Sequence, residues 1–144
     1  MLVSLFAAAA LFTVQDAPVA TAPVPTPAPV PALPAPTDIP VLAPAVVSSD
    51  CGGLLNAPAF CVTASMAQTG ALADAYMADL AAKGWLAAGG DNNLVVMVRR
   101  RDGGGCDGMQ MLAFYDTTKP QAADTPAFLG FAYIPGDVCA ASPS

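Results

Sequence analysis

The chain has 144 residues, a formal net charge of −6 and no histidine, and all eleven of its acidic residues are aspartate. Enzymes working near neutral pH mostly move protons with histidine or a tuned glutamate, so a chain lacking both is poorly equipped for ordinary acid–base catalysis. Phosphate-backbone binding needs a basic face, and five Lys/Arg against eleven Asp do not supply one, so no nucleic acid is expected among the partners.

Residues 1–14 (MLVSLFAAAALFTV) carry only Ser4 and Thr13 as polar side chains. As a helix, such a run reaches about 20 Å, short of a hydrocarbon core of about 30 Å. The length matches the apolar stretch of a secretory signal peptide. Residues 1–22 are therefore read as a signal-peptide-like segment, and the protein as periplasmic or secreted. Membrane contact is expected only through an uncleaved N-terminal segment. Residues 18–44 then hold ten of the fifteen prolines in a background of Ala, Val and Thr. Proline fixes φ and removes amide donors, so residues 23–45 are predicted to form a Pro/Ala-rich, disordered linker. In extended polyproline II form the proline stretch spans up to roughly 80 Å, and its expected role is a spacer.

From residue 46 the composition changes, and residues 46–140 are predicted to form one small α+β domain, followed by a disordered tail at 141–144. Residues 60–64 (FCVTA) read as a strand. Residues 70–83 read as a helix with Thr69 as N-cap. Leu72, Ala73, Tyr76, Met77 and Leu80 form its apolar stripe. Gly84 stops it, and Trp85 is expected to plug the core at its end. Residues 88–93 (AGGDNN) read as a turn. Strands follow at 94–99, from about 106 to 115, and at 128–134, with a glycine-rich loop at 102–105. The order β-α-β-β-β predicts one helix packed on a small antiparallel sheet.

Cys51, Cys61, Cys106 and Cys139 all lie after the apolar run, and an even count in a small exported domain reads as two disulfides. No C-x-x-C pair and no histidine are present, which argues against a zinc ribbon or a thioredoxin-type centre. If the last two strands are antiparallel neighbours, Cys106 at the start of one lies beside Cys139 beyond the end of the other. Cys51 is then left for Cys61. The other two pairings stay open from sequence.

Three sets of residues invite chemistry. Asp102 and Asp107, with glycines between them, form a candidate calcium loop, to which Asp91, Asn92 and Asn93 could add oxygens. The EF-hand alternation is absent, however, and glycine with aspartate is also ordinary hairpin chemistry. Arg99, Arg100 and Arg101 are candidate contacts for an anionic polymer or a partner carboxylate. Ser48, Ser49 and Ser65 lack a histidine, and a Ser-Lys pair would need Lys83 or Lys119. No cofactor is expected. The leading expectation is a non-catalytic binding or structural domain on a proline-rich tether, meeting an envelope protein or anionic polymer in a bacterial cell envelope. The alternatives are a small-ligand or calcium-binding module using the 102–107 loop, and a secreted hydrolase with an Asp-based site.

Overall fold

The computed structural model describes residues 38–140 and, apart from them, Pro23. The signal-like run, most of the expected linker and the 141–144 tail lie outside the described residues.

Six strands and one long helix make up the fold. The strands are β1 (Val46–Ser48), β2 (Phe60–Ser65), β3 (Leu86–Asp91), β4 (Leu94–Arg100), β5 (Cys106–Tyr115) and β6 (Pro126–Ile134). The helix α1 (Met66–Ala82) follows β2 directly. All neighbours are antiparallel, in the order β1-β2-β6-β5-β4-β3. Helix α1 carries the chain from β2 to the far edge of the sheet. The meander β3–β6 then returns until β6 pairs with β2.

Alternation puts Phe60, Val62, Met97, Met109, Leu129 and Phe131 on one face, where they form a core with Leu72, Tyr76 and Leu80 of α1. The Tyr76 and Phe131 rings lie 4.9 Å apart. Each fully buried large apolar side chain contributes about 1.5–3 kcal/mol. Trp85, 2% exposed, joins the same core just past the helix end. Its amide donates to the Leu80 carbonyl and the Gly84 amide to that of Ala81, with Gly84 at φ +87. This is a Schellman end, and the positive φ is what glycine supplies there.

The other face is covered over β2, β5 and β6 by a 3-10 turn (Cys51–Gly53) and the loop at 54–59. Cys51, Ala59 and Cys61 form a second, smaller core with Leu55, Phe114 and Ala132. Toward β4 and β3 this face is less covered: Val96 and Val98 are half-buried, and Leu86 is exposed.

The sheet has six strands where the sequence suggested four. Residues 88–93, expected as a turn, belong mainly to β3, and only Asn92 and Asn93 turn the chain. The sequence of β3 (LAAGGD) has no β-branched residue. Pairing with β4 holds it extended, with a register shift between Ala87 and Gly89. Short β1 pairs Val46, Val47 and Ser48 with Thr63, Val62 and Cys61. Helix α1 begins one turn before the expected Thr69 cap. Ser65 is the cap residue, and Gln68 Oε1 accepts from both the Ser65 amide and hydroxyl. The Met66 and Ala67 amides donate to the Thr125 and Ala123 carbonyls, so the early start leaves these donors satisfied.

Residues 38–45, expected within the linker, pack on the domain. Ile39 is 2% exposed and belongs to the main core. The Tyr76 hydroxyl donates to the Pro40 carbonyl (2.8 Å) and accepts from the Leu42 amide (3.1 Å). Proline forbids ladders but not docking, and here side chains from the helix supply the partners.

Candidate functional site

Two disulfides brace the domain: Cys51–Cys61 and Cys106–Cys139. The first ties the 3-10 turn to β2 inside the smaller core, and both of its cysteines are buried. The second joins the start of β5 to the segment beyond β6. Antiparallel pairing explains it: Gly108 lies opposite Ile134, so Cys106 faces the chain just past the end of β6. Cys106 is buried, whereas Cys139 is exposed.

Around this second disulfide the chain builds a tip from the β4–β5 loop (101–105) and the turn at 135–140. The loop closes on itself, with the Arg101 amide donating to the Gly105 carbonyl and the Gly104 amide to that of Arg101. Asp137 sits between the two segments. Its Oδ1 accepts from the amides of Cys106 (2.8 Å) and Cys139 (3.0 Å). Those two amides, the Cys106 one foremost, hold its carboxyl below the usual carboxylate range. Its Oδ2 lies against Gly105, where a Cβ would stand 2.6 Å away. Only a residue without a side chain leaves that oxygen open. The Val138 amide donates to the Cys106 carbonyl (3.2 Å). Cys106 Sγ, Cys139 Sγ and the Asp137 carboxylate converge with all three donor atoms within 4.8 Å of one another. The protein is thus a small disulfide-stabilised domain with a potential ligand- or metal-coordinating cluster.

Asp137 was not among the residues singled out from sequence. It belongs to no motif, and the one available signal was its place two residues before Cys139. Asp107, which was singled out, faces cations: its Oδ1 accepts from Arg101 Nε (2.7 Å) and its Oδ2 lies 3.6 Å from the Arg99 guanidinium. Arg101 first, then Arg99, pull its carboxyl below the usual range. Asp102 is exposed on the loop. Asp91, Asn92 and Asn93 lie at the opposite end of β4, where Asn93 Nδ2 donates to the Ala113 carbonyl, so the structure does not bring them to the 102–107 loop.

The three arginines separate. Arg99 stacks on Trp85 (4.6 Å from ring centre) and pairs with Asp38 (2.9 Å), whose carboxylate also accepts from Tyr133. Burial and the Asp38 charge raise the Tyr133 phenol above its ordinary value. Arg101 also donates to the Gly136 carbonyl (3.0 Å). Arg100 is exposed and makes no ion pair among the described residues. Lys83 pairs with Asp79 and Lys119 lies 3.9 Å from Asp116, while Ser48 donates to Asp50 and Ser65 to Gln68.

The surface also carries apolar grooves, two of which flank β5. One, of about 290 Å³, lies between the start of α1 and the end of β5, with Met66, Phe114 and Tyr115 in its wall. The other, of about 230 Å³, lies under the 54–59 loop against Gln110, Leu112 and Ala132. Neither is lined by a carboxylate or a cation. No protein-family model, curated protein or solved structure matches the chain.

Proposed function

We propose that the protein is an exported, non-catalytic binding module on a proline-rich tether, and that it takes a small ligand at the tip where the 101–105 loop meets Asp137. The observation that carries this reading is the convergence of Cys106, Asp137 and Cys139, the one cluster of metal-ligating type among the described residues. With the two sulfurs joined, the seat offers oxygen from the Asp137 carboxylate, whose Oδ2 lies beside Gly105. A carboxylate beside a glycine loop, with backbone carbonyls and water to complete the shell, suits a calcium-class cation. Asp107 is not part of this seat, because its carboxylate faces two guanidinium groups.

Association with an envelope protein or anionic polymer through the arginines has less support, since Arg99 and Arg101 already have acidic partners. Export is supported by the disulfides, which persist in oxidising compartments, and by the apolar run at 1–14. The non-catalytic reading is supported by the lack of histidine and glutamate.

Calcium titration of the oxidised chain tests the seat. At about 1 mM calcium and a dissociation constant of about 0.1 mM, as in extracellular modules, linkage raises stability by about 1.4 kcal/mol. That shifts the thermal midpoint upward by several degrees, and a chelator reverses it. Asp137→Asn is expected to abolish the shift. A midpoint unmoved by millimolar calcium would remove the reading.

A further inference from the structure

The two disulfides differ in what surrounds them. Cys51 and Cys61 are enclosed by the smaller core, beyond the reach of an attacking thiolate in the folded chain. Cys139 is exposed, and exposed disulfides are the ones open to exchange. At the tip, contacts besides the sulfur–sulfur bond also join the two segments. Asp137 Oδ1 gathers the Cys106 and Cys139 amides, and the Val138 amide is tied to the Cys106 carbonyl. The Val138 side chain sits over Gly108, where a Cβ would meet it at 2.5 Å. Arg101 clasps the Gly136 carbonyl. These contacts tie the cysteine-bearing segments through groups other than the two sulfurs.

We propose that the Cys106–Cys139 disulfide gates a metal site: once it is reduced, Cys106, Cys139 and Asp137 coordinate a zinc-class divalent cation. The proposal deepens the reading of the tip as a ligand seat and assigns its regulation. In the reduction, an external dithiol breaks the sulfur–sulfur bond, is itself oxidised to a disulfide, and delivers two electrons and two protons to give two thiols. The cation then displaces both thiol protons to solvent. Two thiolates and a carboxylate are zinc-type ligands, and the solvent-facing side leaves a fourth position open. In a tetrahedral site with metal–sulfur bonds of about 2.3 Å the sulfurs stand about 3.8 Å apart, so they must draw away from bonding distance once the bond is cut, while the Asp137 carboxylate already lies within 4.8 Å of both. Asp137 Oδ1 is fixed by the two amides, the kind of outer support that orients a ligand carboxylate. Reduction thereby exchanges a hard oxygen seat for a soft sulfur one.

Cobalt(II) tests this, because its thiolate charge-transfer band reports sulfur ligation directly. The chain is reduced with a dithiol under argon, freed of reductant, and titrated with cobalt and then with zinc. Alkylation and mass measurement confirm that only Cys106 and Cys139 were opened. One equivalent of cobalt with a thiolate band, displaced by zinc, is expected in the reduced chain and none in the oxidised chain. Asp137→Asn is expected to weaken cobalt binding about tenfold or more, and Cys139→Ser to abolish the two-thiolate band. A Cys51→Ala/Cys61→Ala chain is expected to keep it. The proposal is overturned by a missing band in the reduced chain, by a band that persists in Cys139→Ser, or by loss of the sheet's circular dichroism on reduction. A flat calcium titration of the oxidised chain removes the oxygen-seat reading and leaves the cobalt result unaffected, so the two failures are distinguishable.

Discussion

Tyr76 joins the helix, the core and the incoming chain in one side chain. Its ring lies among buried apolar groups, and its hydroxyl fastens the 38–45 segment through Pro40 and Leu42. Removing the oxygen in Tyr76→Phe is expected to cost about 1–3 kcal/mol for two hydrogen bonds. Hydrogen exchange would register it as lost protection at Leu42, with β5 and β6 unaffected. Burial raises the Tyr76 phenol above its ordinary value. The unfolded chain therefore loses that proton first: the contribution is intact below about pH 10 and declines as pH climbs toward the folded-state value. The phenylalanine chain should show a shallower loss of stability on the alkaline side, with Tyr133 leaving a residual slope. The place of Tyr76 on the buried stripe was readable from helical spacing. Its hydroxyl partners were not, because proline content reports what a segment cannot form and is silent on what it packs against.

At the level of elements, β3 shows how far pattern reading extends. The strands β2, β4, β5 and β6 declare themselves through β-branched and aromatic residues. LAAGGD has neither, and its strand state comes wholly from pairing with β4. Gly90 makes that pairing possible: at φ +148, a Cβ there would collide with the Leu94 carbonyl oxygen. Gly90→Ala is expected to cost more than about 1 kcal/mol and to open the β3–β4 hairpin first. Amide exchange should accelerate in β3 while β2 and β6 stay protected; uniform acceleration across the sheet would contradict this. The early helix start was readable, since Ser65 and Gln68 stand at capping-box spacing. Thr69 also suits a cap, yet its hydroxyl donates back to the Ser65 carbonyl inside the first turn. The candidate site was half legible. Cys106 and Cys139 follow from strand order, but Asp137 enters only because the turn after β6 folds back onto β5.

For the molecule as a whole, the two cores on opposite faces of one sheet make different demands. The larger is closed by α1 and the smaller by the 3-10 turn and loop that Cys51–Cys61 fastens to β2. Replacing that pair by alanine is expected to cost about 2–4 kcal/mol, measured as a drop in the denaturation midpoint with the cobalt site intact. The strand order carries a further consequence. The sixth strand is laid down at the centre of the sheet, paired with β2 from Phe60↔Phe131 to Ser65↔Pro126 and with β5 from Gly108↔Ile134 to Tyr115↔Ala127. The β2–β6 contacts join segments far apart in sequence, and closing so long a loop is slow. The sheet therefore cannot close around β2 until residue 134 is available, so the strand that arrives last is the one that unites the two halves.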